Sequence, residues 1–524
     1  MASNEQVPGE TSAQRLRLRA ALDRFADSRA PIVVVCVLAL IVFARLLNAP
    51  YLTWDDDKNI FSNPYYLFTG WGHLWLQPYF GLYVPVISTI WALLYKAGSA
   101  STLPFRVFNA TVHVLNAALV ATLLSKWFAR RSLVGPSANL AIALGVAVFA
   151  LHPLQTAAVS WISGGRDLAA TAFGLGAILL GLRTSNRSFA AATALFALGL
   201  LCKPSIAGIP LALAAHDAVI DRPNLMRTMR RMALWCVLVV AAVLATNFMQ
   251  SEMVQVSVPL MRRPFVAADA MGFYLAKIVW PVSLSGDYGR SPANLWSHRE
   301  LAVPTLSALA VAVLLMWRLR RHPAAQVWGW TWFLAVLPVL GFVTFAFQRI
   351  STVTDHYMYL PLVAVAGGVA VAAYHIRNRV TQAGLLVAAV LAMSIASWQR
   401  VGVWRSSESF FTDVLARNPT SYSALTNLSQ IACERGEFDW GLQLTARSLA
   451  ANPAEAATYA NEAYCLYHRG TLADVVALLP KLRQPDVAFS LEHNATAASS
   501  LANTIAGAYF ALGDQDRGAR FLCQ

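Results

Sequence analysis

Three consecutive carboxylates, Asp55, Asp56 and Asp57, directly follow the first apolar segment of the chain. Adjacent carboxylates raise one another's pKa, so placing them beside a membrane is electrostatically costly. A carboxylate held at a membrane surface can act as a general base, oriented by a neighbouring carboxylate or by a metal ion. We predict that Asp55 or Asp56 is such a base. The alternative is a solvated acidic loop.

Two basic residues at the edges of later apolar segments could hold a phosphate group. Arg166 lies in a short polar run before an apolar segment, and a guanidinium can hold a phosphate by a two-point contact. Lys203 occupies a Lys-Pro turn between two apolar helices, where an ionisable residue is a functional candidate. The alternatives are an arginine that snorkels to the interface and a stray lysine.

Other polar residues could bind a second substrate or simply cap helices. These possible substrate-binding residues are His152, Asp167, Asp287, Tyr288, Arg349, Asp355, His356 and Tyr357. A further set, Asn109, His113 and Asn116, shares one helix face and is expected to hold helices together rather than act directly in catalysis. The histidines do not have metal-ligand spacing, so we predict no metal site from them, and dependence on a divalent metal stays open.

The composition indicates that the chain carrying these residues is a membrane protein. Of the 524 residues, 57% are hydrophobic and 13% are charged, about half the charged share of soluble proteins. A wholly soluble enzyme and a disordered chain are therefore excluded. The net charge of +14 comes from basic runs between apolar segments, which is typical of membrane topology rather than nucleic-acid binding. The sequence contains no Walker loop, GxGxxG or GxSxG motif, so a soluble nucleotide donor has no visible binding fold.

Apolar segments recur through residues 31–400 and alternate with short basic runs. If all the runs face the cytoplasm, the chain crosses the membrane about 11 times, with about 13 crossings as the alternative. In the smaller count the segments 82–97 and 268–284 are interfacial or re-entrant. The polar, arginine-rich tail 1–30 then lies in the cytoplasm, and either odd number of crossings places the C-terminus outside.

This topology collects most acidic residues of the membrane region in outer segments, chiefly the loops 49–81 and 250–299. The asymmetry indicates chemistry at the outer face, on or just above the bilayer. The missing nucleotide-binding motifs favour a membrane-borne donor.

After about residue 400 the composition becomes that of a soluble helical protein, with 401–416 as a linker. Within residues 417–524, Asn418-Pro419 returns as Asn452-Pro453, Asn427 as Asn461, and Gly436 as Gly470, each at an offset of 34 residues. This is the period of the tetratricopeptide repeat (TPR), so we predict a short TPR α-solenoid with an atypical third unit. Cys433 and Cys465 occupy similar late positions on successive first helices. A disulfide is possible outside the cytoplasm, but we expect free buried thiols.

The motifs also occur in a recognisable order. They are Trp54-Asp55-Asp56, Tyr83-Val84-Pro85, Phe105-x3-Asn109-x3-His113, His152-Pro153-x3-Ala157, Arg166-Asp167-Leu168, Lys203-Pro204, Trp280-Pro281-x2-Leu284-x2-Tyr288 and Asp355-x-Tyr357-x-Tyr359-Leu360-Pro361. This ordered set resembles the GT-C membrane glycosyltransferases with C-terminal TPR units, the bacterial relatives of the transmembrane-and-TPR O-mannosyltransferases. The chain departs from that pattern in its third aspartate, Asp57, and in His356, where many relatives have arginine.

The resemblance implies an all-α polytopic bundle followed by a TPR solenoid. It further implies an inverting transfer of a sugar from a polyprenyl-phosphate donor to a hydroxyl acceptor at the periplasmic or lumenal face. Asp55 and Asp56 would supply the base, and Arg166 and Lys203 would hold the carrier phosphate. The TPR units would present a polypeptide acceptor, in the periplasm of a cell whose inner membrane holds the enzyme. Two alternatives remain: a lipid or cell-surface glycan acceptor, and a non-catalytic transporter or assembly factor.

Overall fold

The computed structural model describes residues 28–67, 70–99, 101–182, 185–220, 225–250 and 258–522, together with four single residues of the N-terminal tail. Most of the predicted tail 1–30 and the start of the predicted loop 250–299 therefore lie outside the described residues. The described chain is helical, with an isolated bridge between Tyr79 and Leu82 as its β-type pairing. The predicted all-α class is confirmed at this level.

The helices of the first part of the chain precede residue 402. They are α1 (Ala30–Ala44), α2 (Pro64–Leu67), α3 (His73–Leu76), α4 (Pro85–Gly98), α5 (Leu103–Arg130), α6 (Pro136–Leu151), α7 (Gln155–Ser160), α8 (Gly165–Gly181), α9 (Asn186–Leu200), α10 (Ile209–Ile220), α11 (Leu225–Gln250), α12 (Arg263–Val279), α13 (Pro292–Ser297), α14 (Val303–Arg318), α15 (Pro323–Val336), α16 (Leu362–Tyr374) and α17 (Arg379–Val401). Proline stands in the first turn of many of them, where its missing N–H costs nothing.

The C-terminal part is also helical. Its helices are α18 (Ser407–Arg417), α19 (Tyr422–Glu434), α20 (Phe438–Ala451), α21 (Ala456–Arg469), α22 (Leu472–Val476), α23 (Leu479–Leu482), α24 (Pro485–Glu492), α25 (Ala495–Ala511) and α26 (Gln515–Leu522). Short turns connect the longer helices: a π turn at Asp57–Phe61 and 3₁₀ turns at Ile162–Gly164, Pro204–Gly208, Leu260–Arg262, Arg299–Ala302, Leu337–Val339, Ala346–Arg349, Asp355–Met358 and Gly402–Arg405.

Helix α6 is the centre of the first part. It is apolar around nearly its whole circumference and buried along most of its length, as expected for a helix enclosed on all sides. It packs against α1, α5, α16 and α17, and the shared core extends from Val35 in α1 to Leu444 in α20. Elements distant in sequence therefore meet around one helix.

Three helices of the described chain are long and apolar enough to cross a membrane, by length and composition. They are Leu103–Arg130, Arg299–Arg318 and Arg379–Arg405. Shorter apolar helices lie at Ala30–Ala44, Pro136–Leu151, Pro204–Ala214 and Leu362–Tyr374. The larger number of crossings inferred from the basic runs stays a prediction.

The C-terminal helices form hairpins that repeat. The first helices α19 and α21 begin at Tyr422 and Ala456, and the second helices α20 and α22 begin at Phe438 and Leu472, so both pairs keep the 34-residue offset of the sequence. Gly436 and Gly470 have positive φ angles of 81° and 90° and end each first helix in the same way. Repeat-like hairpins are thus present.

The stretch assigned as a linker, 401–416, is helical over most of its length and packs into the core. Trp404, Phe410, Phe411 and Val414 are buried in the same cluster as α6, and the first hairpin contributes Leu425 to it. The first hairpin consequently rests directly on the preceding helices, as expected for a short array that cannot bury its apolar faces alone.

The expectation of free thiols at Cys433 and Cys465 is wrong. The two residues form a disulfide between α19 and α21, with Cα atoms 5.3 Å apart. Because successive first helices stack side by side, similar late positions on them face each other across the repeat interface. A Cβ atom at Gly441 would lie 2.6 and 2.7 Å from the two sulfur atoms, so the glycine leaves room for the bridge.

We expect Cys433→Ser to lower the free energy of unfolding of the repeat hairpins by about 2–4 kcal/mol, because the disulfide restricts the unfolded chain. Thermal unfolding of the detergent-purified protein without reductant measures this effect. Cys36→Ser, which changes a free cysteine of α1, is the control. Equal melting of wild type and Cys433→Ser, with reductant changing neither, would contradict the assignment.

Candidate active site

The connection between α6 and α8 runs through the interior. Every residue from Leu151 to Ala170 is buried, although loops normally lie at the surface because buried backbone needs hydrogen-bond partners. Gly164 lies so close to α7 that a Cβ atom there would be 2.2 Å from the carbonyl oxygen of Ala158. This segment carries Arg166 and Asp167. The groups that form hydrogen bonds with its backbone therefore also position these two residues.

A polar stripe on α5, formed by Arg106, Asn109, His113 and Asn116, provides those partners. The Asn109 amide donates to the carbonyl oxygen of Trp161 at 2.9 Å, and the Asn116 amide donates to that of Leu168 at 3.0 Å. Arg106 donates to the carbonyl oxygens of Ser160 and Pro50. The prediction that Asn109, His113 and Asn116 hold helices together is therefore confirmed.

His113 completes the stripe, and its two hydrogen-bond partners determine its tautomer. Its Nε2 atom lies 2.9 Å from the carbonyl oxygen of Ala150, which can only accept, so Nε2 carries the hydrogen. Its Nδ1 atom then accepts from the Tyr359 hydroxyl at 2.8 Å. Asn116 also donates to that hydroxyl, at 3.1 Å. The stripe thereby joins α5 to Tyr359, the residue after the turn at Asp355–Met358.

His152, one of the possible substrate-binding residues, has both ring nitrogens occupied. Its Nδ1 accepts from the backbone N–H of Leu154 at 3.2 Å, so Nε2 is the donor to the carbonyl oxygen of Ile278 at 3.0 Å. The ring is buried. In this arrangement His152 joins the buried segment to the end of α12.

Asp56 is fully buried and its carboxylate is occupied on both sides. One oxygen accepts from the backbone N–H and the hydroxyl of Ser163, at 2.9 and 2.7 Å, and the other accepts from the N–H of Leu52 at 3.2 Å. Burial raises the pKa of Asp56 to about 6, although the Ser163 hydroxyl and Arg106 act to lower it. Together with the bond from the Trp161 indole to the carbonyl oxygen of Trp54, at 2.9 Å, Asp56 attaches the acidic loop to the buried segment.

Asp55 has a different environment from its neighbour. Its φ angle is +73°, a left-handed conformation that aspartate tolerates better than most residues. Its side chain makes no hydrogen bond or ion pair with any residue that the structure describes. Burial raises the pKa of Asp55, while the positive charges of Arg166 and Lys58 lower it. An unoccupied, half-buried carboxylate beside cations can accept a proton from a ligand hydroxyl.

Arg166, whose charge acts on Asp55, has a guanidinium that is only partly hydrogen-bonded. Its Nε donates to the carbonyl oxygen of Ser163 at 3.0 Å, and the guanidinium lies 5.3 Å from the centre of the Trp161 ring. Its two terminal nitrogens have no hydrogen-bond partner within the described ranges. Since Nε is anchored and the terminal nitrogens are free, Arg166 is oriented to receive an anion by a two-point contact.

Lys203 is paired rather than free. Its Nζ lies 2.6 and 2.8 Å from the two carboxylate oxygens of Asp167 and 5.2 Å from the centre of the Tyr357 ring. Burial is the main cause that lowers the pKa of Lys203; Asp167 opposes it and Arg166 reinforces it. Because Asp167 neutralises much of its charge, Lys203 is the weaker candidate for binding a phosphate.

His356 and Tyr357 complete the group. The His356 ring lies 5.4 Å from the Trp161 ring and 4.5 Å from that of Tyr357. Burial, with the charges of Lys203 and Arg166, holds the pKa of His356 well below its ordinary value, so the ring is neutral. We call the following set the charged cluster: Asp55, Trp161, Arg166, Asp167, Lys203, His356 and Tyr357.

The remaining candidates lie elsewhere. Asp355 is fully buried and accepts a hydrogen bond from the Tyr288 hydroxyl at 2.5 Å; burial raises its pKa to about 6, against Arg400. Asp287 accepts from the Ser421 hydroxyl at 2.6 Å and so connects the loop after α12 to the repeat hairpin. Arg349 is exposed beside a cleft described below. The structure brings none of these four side chains into the charged cluster.

Sequence reasoning missed Arg106, Ser163 and Lys58. Arg106 stands three residues before Asn109 on the same helix face, so helical periodicity alone could have added it to the stripe. Ser163 has no comparable signal, because its partner Asp56 is distant in sequence. Lys58 follows the aspartates directly, and its proximity to Asp55 could have been anticipated.

Comparison of the chain with protein-family models, with curated proteins and with solved structures found no match. Within the described part of the chain, no three His, Cys, Asp or Glu side chains are grouped so that they could hold a metal ion.

We expect Asp56→Asn to destabilise the protein by about 1–3 kcal/mol, because an amide cannot accept all three hydrogen bonds and leaves a buried donor unpaired. Asp55→Asn, the matched neighbouring substitution, should leave the melting temperature unchanged or slightly raised, since it removes a half-buried charge without removing a hydrogen bond. Thermal unfolding in detergent compares the two variants. Equal destabilisation by both would contradict the separate roles assigned to these carboxylates.

Proposed function

We propose that the protein is a membrane glycosyltransferase of the GT-C type. It moves a sugar from a polyprenyl-phosphate donor to a hydroxyl acceptor on protein, at the periplasmic or lumenal face. The observation that carries this proposal is an unoccupied carboxylate, Asp55, near enough to the Arg166 guanidinium for its charge to lower the pKa of Asp55, while the terminal nitrogens of Arg166 stay free. These are the two groups that such a transfer needs, a base for the acceptor and a cation for the leaving phosphate.

The chemistry follows from these two groups. Asp55 accepts the proton of the acceptor hydroxyl while the oxygen of that hydroxyl attacks the anomeric carbon of the sugar. The bond from that carbon to the phosphate oxygen breaks, and the electron pair leaves with the polyprenyl phosphate. Arg166 stabilises the charge that develops there. A single displacement inverts the anomeric centre, and a phosphate needs little help from an acid.

Asp56 and the other members of the charged cluster position these two groups. Asp56 holds the acidic loop on Ser163. The pair of Lys203 with Asp167 fixes the first turn of α8, next to Arg166. Trp161 and His356 supply flat, largely buried surfaces against the guanidinium and the sugar side of the site. Because His356 is neutral, it would offer the sugar a polar contact without competing with Arg166 for the phosphate.

The proposed location is the inner membrane of a bacterium, with the N-terminus cytoplasmic and the repeat hairpins, which we interpret as TPR units, periplasmic. The disulfide between Cys433 and Cys465 supports this side for the hairpins, because disulfides persist in oxidising compartments such as the periplasm. The acidic loop contacts α18, the helix before the hairpins, through the hydrogen bond from the Thr53 N–H to the Ser407 hydroxyl at 3.0 Å. The charged cluster and the hairpins therefore share one side.

We expect Asp55→Asn to reduce transfer by roughly 10²- to 10⁴-fold, the usual contribution of a general base. Arg166→Gln should also reduce it strongly, because the phosphate loses its two-point contact. Intact-mass analysis of secreted proteins from a deletion strain, complemented with each variant, measures the modification, and lipid extracts are compared in parallel.

Asp57→Asn is the matched control, since it removes the same charge from the same loop. Full protein modification by Asp55→Asn would overturn the proposed base. Modification that disappears from lipids rather than from proteins in the deletion strain would move the acceptor to a glycan or lipid.

The rate of transfer should fall as the pH falls through the pKa of Asp55, because only the ionised carboxylate accepts a proton. Burial raises that pKa above the ordinary 3.8, so the acid limb of kcat/KM lies above this value. Arg166 lowers the pKa of Asp55, so Arg166→Gln should shift the limb to still higher pH. The assay uses purified protein with total lipid extract as donor. A rate that is constant down to pH 3.8 would contradict the assignment.

A further inference from the structure

A cleft of about 500 Å³ lies between the loop after α12 and the first repeat hairpin. Asn294 and Arg349 line one wall, while Tyr422 and Arg447 line the other. The cleft is open to solvent along one side, and its volume is typical of sites that bind a small ligand or a few residues of a peptide. Its two walls come from the two parts of the molecule that the proposed reaction must bring together.

The cleft presents hydrogen-bond donors that the protein does not use. The exposed Arg349 guanidinium has no hydrogen bond or ion pair to any described residue, and the half-buried Tyr422 hydroxyl likewise has no hydrogen-bond partner there. Burial raises the pKa of Tyr422 to about 12, so the hydroxyl keeps its proton. Arg447 gives one hydrogen bond to the carbonyl oxygen of Pro419, at 3.2 Å, and its remaining N–H groups face solvent.

The acceptors of the cleft, in contrast, are already occupied. Asp287 supplies the carboxylate of its lining, and this group accepts from the Gly289 N–H, the Ser421 hydroxyl and the Asn418 amide at 2.7, 2.6 and 3.1 Å. Within its lining, a ligand therefore meets two arginines and a hydroxyl, and the nearby carboxylate of Glu455 lies outside the lining. Such a site favours ligands with negative charges separated by the width of the cleft.

The Arg349 wall continues toward the charged cluster. Phe347, two residues before Arg349, contacts Trp54 with ring centroids 6.3 Å apart, and Trp54 precedes Asp55. On the opposite side, Glu455 of the second hairpin lies near enough to both Arg349 and Lys58 for their charges to lower its pKa, although burial raises it overall. Lys58 also acts on Asp55. A chain lying in the cleft would thus run along the surface that leads to the proposed base.

We propose that this cleft binds the acceptor as an extended polypeptide, with Arg349 and Arg447 holding Asp or Glu side chains near the hydroxyl residue that receives the sugar. This rests on the proposed function, because it assigns the substrate of the same site. It makes acidic sequence context the specificity determinant. It also places recognition at the junction of the two parts of the molecule rather than on the hairpins alone.

The test uses fluorescein-labelled peptides in which serine alternates with aspartate, asparagine or lysine, and measures anisotropy with the full-length protein in detergent. All binding is measured in the Asp55→Asn background and without a sugar donor, so that no transfer occurs. The aspartate peptide should bind more tightly than its asparagine counterpart, and Arg349→Gln or Arg447→Gln should weaken its binding roughly three- to tenfold. Salt should weaken binding in the same way.

Arg483→Gln is the matched control, since it removes one positive charge from an exposed position of the repeat region outside the cleft. Equal binding of the aspartate and asparagine peptides, or equal effects of Arg349→Gln and Arg483→Gln, would overturn the proposal. Displacement of the peptide by inorganic phosphate at equal concentration would identify a simple anion site and overturn the polypeptide assignment.

The two proposals can fail separately. Arginine-dependent peptide binding without any sugar transfer by the wild-type protein would leave the cleft assignment standing and remove the glycosyltransferase. If transfer requires Asp55, but Arg349→Gln and Arg447→Gln leave the KM for the acceptor unchanged, the glycosyltransferase assignment stands and the cleft assignment fails.

Discussion

The structure depends on one constraint: the connection between α6 and α8 passes through the interior, and those of its buried carbonyl groups that α7 and the following 3₁₀ turn leave unpaired need a donor. The polar stripe of α5 supplies donors there: Asn109 binds the carbonyl oxygen of Trp161 within the connection, and Asn116 binds that of Leu168 in the first turn of α8. Without them, the buried backbone would lose hydrogen bonds to water and gain none in return. Satisfying the backbone also orients the first turn of α8, so the position of Arg166 is a consequence of the same bonds. In a low-dielectric interior such a network is stable only when nearly complete.

The acidic loop uses this rigid segment as its support. Asp56 contributes its whole carboxylate to Ser163 and Leu52, and Trp54 packs against Phe410 and Phe411 with ring centroids 5.6 and 5.8 Å away. The loop is therefore held by two contacts, one with the buried segment and one with α18, the helix that begins the repeat region. Asp55, between these anchors, keeps a carboxylate without a partner. Positioning by neighbours rather than by its own hydrogen bonds is what leaves it available for a substrate.

The same packing explains why the repeat hairpins and the charged cluster form one unit. Helix α18 buries aromatic side chains in the core around α6, and Asp287 connects the loop after α12 to Ser421. A flexible linker would let the hairpins move independently of the cluster, whereas this packed connection sets their distance. In the proposed transfer to a polypeptide, such a fixed geometry would reduce the entropic cost of bringing the two substrates together.

The sequence by itself determined the helical class, the apolar character, the 34-residue offset of the hairpins and the role of the Asn109 stripe. All of these are local or periodic, since composition, helical spacing and repeat length depend on neighbouring positions. Tertiary structure alone decided which aspartate is occupied, that Lys203 is paired with Asp167, and that Cys433 meets Cys465. Asp55 and Asp56 are adjacent and chemically identical, so no pattern separates them. Their difference comes from Ser163 and Arg166, which lie far away in the chain and reach the loop only because the buried segment folds back beneath it.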